Sequence, residues 1–164
     1  MTFKRFPSHL EARMAEGSQD FDLSQFLPYL LNQAAEAASQ SFQMVYRAEF
    51  GMSRTQWRVL ANLGKFGAMT AAEICRISHM EKTKVSRAVA VMEADGLLER
   101  ATSTQDRRAE YLSLTLKGSE LFEELGRRAS RYDKDLRKAL GPEVAAALDA
   151  ALRSLIAMGE APTN

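Results

Sequence analysis

The 164-residue sequence is 46% hydrophobic and 26% charged, an ordinary globular balance that supplies a core for one domain, with or without appended helices. Its formal charge of +1 gives no global attraction for an acidic partner, so any affinity for nucleic acid must come from cations gathered locally. Cys75 is the only cysteine, which excludes an intrachain disulfide, and no apolar run approaches the roughly 20 residues that span a bilayer.

The N-terminal MTFKRFPSHLEARMAEG has positive charge but no uninterrupted apolar stretch, so it does not read as a secretory signal, and a soluble cytoplasmic protein is expected. Residues 1–20 mix charge with Pro7 and Gly17 without a period and are expected to form a flexible or partner-ordered arm. Its KRFP cluster either reaches DNA or a partner subunit, or is simply a disordered terminus. From Leu23 a helical stripe begins: Leu23, Leu27, Leu30, Ala34, Ala37, Ser41 and Met44 fall at steps of four and three. The small residues of QAAEAASQS would let another helix approach closely, and Gly51 ends the run.

Ser53 and Gln56 form a possible capping box for a helix through Trp57, Leu60 and Leu63, which Gly64 and Gly67 are expected to break. Thr70 and Glu73 make a second box before a short helix with Ile74 and Ile77. Ser78 and His79 mark a turn, and a helix follows from about Glu81 to Ala94, stopped by Gly96. LLERA and EYLSL read as two short strands around the polar TSTQDRRA. Thr115 opens a long charged helix to about Leu140. Gly141 and Pro142 separate it from a last helix striped by Val144, Leu148, Leu152 and Leu155.

Two short helices joined by a tight turn and followed by a two-stranded wing describe a winged helix-turn-helix, whose second helix typically enters the major groove. Stepping about 100° per residue along residues 81–94 puts Val85, Ala88, Val89 and Met92 on the core side. Thr83, Ser86, Arg87 and Ala90 fall opposite, with Lys82 and Lys84 towards the flanks. Arg87 can offer a bidentate fork to guanine O6 and N7, while Thr83 and Ser86 offer hydroxyls to bases. Lys82 and Lys84 lie in the first turn, where free amides and the helix dipole also favour phosphate. Ala90 keeps the face low enough to approach bases. A solvated basic helix face is the plain alternative.

A hairpin just after this helix would lie beside the duplex with Arg107 and Arg108 at its tip, suited to a narrow minor groove. Asp106 would repel phosphate and fits better as an orienter that fixes one guanidinium by a paired hydrogen bond. Arg76 and Arg100 are either phosphate contacts or ordinary surface charges.

SRTQWRVLANL, MEKTKVSRAVAVMEADGLLER and DRRAEYLSLTLKG, in this order and at these spacings, resemble the MarR-type (multiple antibiotic resistance regulator) transcription factors from about residue 23 to the C-terminus. The resemblance implies a mainly α fold with a small β-hairpin wing, in which N- and C-terminal helices form a dimerisation base. With residues 1–20 as an arm that departs from the family pattern, it implies the organisation 21–50 dimerisation helix, 51–115 DNA-binding lobe and 116–160 C-terminal dimerisation helices. It also makes Asp106 and Arg108 the Asp-x-Arg pair of the wing, with Arg107 near DNA.

The apolar stripes support dimerisation independently, because they exceed what a small winged helix needs to cover. Leu23, Leu27, Leu30, Leu136, Leu140, Leu148, Leu152 and Leu155 are the interface candidates. Two paired recognition helices predict a pseudo-palindromic double-stranded DNA operator. Many family members are repressors released by small aromatic acids or phenols, and Phe42, Tyr46, Trp57 and Arg58 are the residues here that could line such a crevice. Plain core is the other reading of these rings.

Other signals are weaker. Some relatives sense oxidants through a cysteine near the start of the first long helix; Cys75 lies elsewhere and reads as a buried inert thiol. His9 and His79 stand far apart without ligand-spaced partners, so no metal or cofactor is expected. No Gly-rich phosphate loop or nucleophile elbow is present, so an enzyme is not expected. The rival class is a winged-helix protein-interaction module without DNA binding, which would tend to replace the Thr83, Ser86 and Arg87 face, together with Arg108, with apolar anchors.

Overall fold

The computed structural model describes residues 21–102 and 110–160, so the N-terminal arm and Asp106, Arg107 and Arg108 lie outside the described residues. The chain divides into two units, Met1–Ser41 and Phe42–Asn164.

In the first unit Asp22 caps a 3-10 turn, Leu23–Gln25, its carboxylate accepting from the Ser24 N–H at 2.9 Å and the Ser24 hydroxyl at 2.6 Å. Phe21 and Phe26 meet edge to face at 5.4 Å. Helix α1, Leu27–Phe50, therefore starts later than the stripe from Leu23 suggests. Pro28 has no N–H to give an earlier turn, and a first helical turn is where that loss costs least.

In the second unit the buried residues of α1 are Phe42 and Tyr46, whereas Met44 is 68% exposed. The expected stripe through Ser41 and Met44 is thus out of phase at this end, where two aromatic rings remove more area from water than a methionine would. Gly51 ends the helix at φ 63°, a left-handed conformation that glycine adopts without penalty.

Helix α2, Arg54–Phe66, opens with the expected capping box: Ser53 accepts from the Gln56 N–H, and the Gln56 side chain accepts from the Ser53 N–H at 2.7 Å. It does not break at Gly64. A Cβ there would stand 2.4 Å from the Phe122 ring, so Gly64 is a close-packing site inside the helix, and only Gly67 stops it. Strand β1, Met69–Thr70, leads into α3, Ala71–Ser78, whose box is formed by Thr70 and Glu73.

His79, at φ 49°, makes the left-handed turn into α4, Lys82–Ala94. Asn62 on α2 braces this turn, donating to the Ser78 hydroxyl at 2.8 Å and to the Arg58 carbonyl at 2.7 Å. Cys75 is half-buried against the core, not fully buried as expected.

The hairpin strands are β2, Leu98–Thr102, and β3, Glu110–Leu114, paired antiparallel from Leu98 opposite Leu114 to Thr102 opposite Glu110. The sheet has a third strand that the sequence did not show: Met69 pairs with Leu112 and Thr70 with Tyr111, giving the order β1-β3-β2. Two residues are too few to display an alternation.

Helix α5, Leu116–Leu140, is capped by Thr115, and α6, Pro142–Glu160, follows Gly141. The core joins Tyr46, Val59, Leu60, Ile74, Val85, Met92, Leu112 and Leu125. The protein is mainly α-helical with a small antiparallel sheet, and among the described residues no helix is long and apolar enough to cross a membrane.

Candidate nucleic-acid interface

Helix α4 is held by its apolar side. Val85, Ala88, Val89 and Met92 are buried, and Val85 and Met92 have no exposed surface at all. Its C-terminal end closes in a Schellman turn: Gly96, at φ 68°, donates to the Glu93 carbonyl at 2.9 Å, and the Leu97 N–H reaches the Met92 carbonyl at 2.8 Å.

The start of α5 grips this turn. The Thr115 hydroxyl donates to the Gly96 carbonyl at 2.7 Å, and the Lys117 ammonium donates to the Asp95 carbonyl at 2.7 Å. At Gly118 a Cβ would come within 1.9 Å of the Leu97 carbonyl oxygen, so only glycine fits.

What this scaffold presents outward is polar and basic. Lys82, Thr83, Lys84, Ser86, Arg87 and Ala90 are all exposed on α4. Lys84 pairs with Glu81 at 3.3 Å, both side chains being well exposed, so water screens the pair and leaves the lysine free to exchange partners. Among the described residues Arg87 and Lys82 take part in no ion pair.

A shallow depression beside α4 is lined by Lys84, Arg87 and Val91 on one side and by Ser53, Thr55 and Gln56 at the start of α2 on the other. The start of α2 was not singled out from the sequence, because its closeness to α4 is a tertiary fact. The only local signal was the capping box itself.

Two carboxylates meet the wing. Arg100 on β2 donates through Nε to Glu93 on α4 at 2.8 Å and through its terminal nitrogen to Glu110 on β3 at 3.1 Å. The Glu93 hydrogen bond, aided less by Glu110, holds the guanidinium above the ordinary arginine range. Of the two readings left open for Arg100, a phosphate contact or a surface charge, its exposure agrees with the second, and to it is added an ion pair joining three elements. Arg76 is exposed in the last turn of α3.

The rings named as a ligand crevice pack on one another. Phe42 meets Trp57 at 5.4 Å and Tyr46 at 5.5 Å, and Tyr46 stacks on Trp57 at 6.0 Å. Tyr132 of α5, which the sequence reading missed, joins them 5.6 Å from Phe42. Trp57 stays partly exposed, and Arg58 lies on the surface. Among the described residues no three His, Cys, Asp or Glu side chains are grouped to hold a metal ion.

A core-locked helix with a polar outer face, preceded by a helix and turn and followed by a hairpin, defines a winged helix-turn-helix protein of the DNA-binding class. The MarR family model matches residues 50–109, which run from the last residue of α1 past β2 and stop just before β3. A MarR family transcriptional regulator from Silicibacter pomeroyi DSS-3 is 34% identical, with a TM-score of 0.76 over 86% of this chain and 100% of that one.

The repressor MdtR of Bacillus subtilis is 36% identical over 86 residues, 50% of this chain and 56% of its own. Bordetella bronchiseptica BpsR, described as regulated in its DNA binding by 6-hydroxynicotinic acid, shares the fold at 23% identity and TM-score 0.73, over 87% of this chain and 99% of its own. The chain belongs to the MarR family. It is a transcriptional regulator, not an enzyme.

Proposed function

We propose that the protein is a cytoplasmic, homodimeric, sequence-specific repressor that binds a pseudo-palindromic double-stranded operator and releases it when a small aromatic or phenolic ligand binds. The observation that carries this reading is the division of α4 into a fully buried apolar side and an outward face of Thr83, Ser86 and Arg87. In that arrangement Arg87 reads guanine, Thr83 and Ser86 adapt to neighbouring base edges, and Lys82 and Lys84 hold phosphate. Asp106, Arg107 and Arg108 complete the surface from the wing in this proposal, Asp106 orienting a guanidinium.

The proposed base comprises residues 21–50 and 116–160, the reading lobe residues 51–115, and the arm residues 1–20. Support for a second subunit comes from Leu136, Leu140, Leu148, Leu152 and Leu155, each 37–43% exposed in the single chain, with Leu23, Leu27 and Leu30 exposed as well. Support for repression and for an aromatic effector comes from the relatives MdtR and BpsR. The Phe42, Tyr46 and Trp57 cluster, with Arg58 on the same chain, has the chemistry for an aromatic anion, and its rings would have to part to admit one.

Selection of bound sequences from random double-stranded DNA, repeated with a panel of aromatic acids and phenols, tests the reading. The expected result is a pseudo-palindrome whose enrichment is lost with at least one compound. Absence of any enriched sequence would leave the protein-interaction module as the better account.

A further inference from the structure

The outward stripe of α4 does not end with its cationic residues. Glu93 lies seven residues beyond Ser86, so at about 100° per residue it falls within roughly 20° of the same line, two turns further along. A carboxylate continuing a face proposed to meet a polyanion calls for a physical reason. Its partner is Arg100, which also binds Glu110, so one cation bridges two anions and the cluster carries a net negative charge.

Of the five N–H donors of Arg100, the one on Nε and one on a terminal nitrogen are committed to carboxylates on two other elements, so the guanidinium sits between two anions that would repel a phosphate. The three residues belong to α4, β2 and β3, and the backbone ladder joins β2 only to β3, so this cluster ties both hairpin strands directly to α4.

We infer that Arg100 is a positioning residue: through Glu93 and Glu110 it fixes the wing hairpin against the recognition helix, and it does so without touching DNA. The inference rests on the DNA-reading role proposed above for α4. The orientation of the hairpin relative to α4 decides whether both can engage adjacent grooves at once, so loosening this tie costs affinity even though no contact to DNA is removed.

The test is fluorescence-anisotropy binding of the selected operator across a series of KCl concentrations, with Arg100→Ala, Arg100→Lys and Glu93→Gln/Glu110→Gln. Exposed ion pairs of this kind set the scale, and Arg100→Ala is expected to weaken binding about three- to tenfold. The slope of log affinity against log salt should stay that of the wild type, because no phosphate contact is lost. Arg100→Lys, able to keep one carboxylate, is expected to recover part of the loss.

The decisive sign belongs to the double glutamine variant. It removes two negative charges near a polyanion, yet it is expected to bind more weakly. It preserves side-chain volume and carries the test should Arg100→Ala fail to fold.

A salt slope shallower by about 0.9 for Arg100→Ala would mark Arg100 as a phosphate contact and overturn the inference. Unchanged affinity of Arg100→Ala, or equal or tighter binding by the double glutamine variant, would overturn it too. A wild-type chain that binds no DNA sequence would instead sink the underlying reading, and this inference with it.

Discussion

Arg87 is exposed on the outer face of α4, one residue before the buried pair Ala88 and Val89 that anchor the helix. Its guanidinium is therefore supported from behind by a packed backbone while its donors stay free to meet a base. Arg87→Ala is expected to cost on the order of 1–3 kcal/mol at the operator and to relax preference at one base position, as measured by competition binding against single-base operator variants. Equal binding to every variant by wild type and mutant alike would remove Arg87 from the reading surface.

At this scale the inward residues were legible because a helix repeats its direction every few residues. Val85, Ala88, Val89 and Met92 are each where the 100° step puts them. Arg100 was not legible. Its partners stand 7 and 10 residues away on other elements, and no local pattern announces a contact across three of them. Tyr132 was missed for the same reason, being brought to Phe42 only by the packing of α5.

At the scale of elements, the starts of α2, α3 and α5 were read well because caps are local chemistry, whereas the start of α1, placed at Leu23 by its stripe alone, was not. Ser53 with Gln56, Thr70 with Glu73, and Thr115 each open the helix that follows them. What failed depends on neighbours distant in sequence. Gly64 looked like a breaker but accommodates Phe122, and β1 exists only because β3 lies beside it.

The α3 cap also sets a pH dependence. The Thr70 N–H at 2.8 Å and the Thr70 hydroxyl at 2.9 Å both donate to Glu73, and these bonds hold its carboxyl below the ordinary 4.5. A lowered folded-state value means the stabilisation is complete above the ordinary one and is lost as pH falls through the lowered one. Urea unfolding of wild type and Glu73→Gln should thus show a wild-type advantage at neutral pH that shrinks on acidification below 4.5. An advantage that grows in acid would contradict the assigned hydrogen bonds.

For the whole molecule, the exposed leucines of α5 and α6 are the feature that a single chain leaves unexplained. Leu136, Leu140, Leu148 and Leu152 line a groove between these two helices, and Arg137 crosses it, bonding Asp133 at 2.8 Å and Asp149 at 3.5 Å. Those exposed ion pairs add little stability, so the apolar strip between them is the larger driving force. A second copy of the chain is the cover we propose, and a two-fold axis would then set a pair of α4 helices on one face of the duplex.

The most direct test is dimethyl sulfate protection of guanine N7 on the selected operator. Two protected major-groove patches, related by a dyad and centred about 10–10.5 base pairs apart or a multiple of that, are expected. A single protected patch, or bound DNA with every guanine N7 still reactive, would contradict the account.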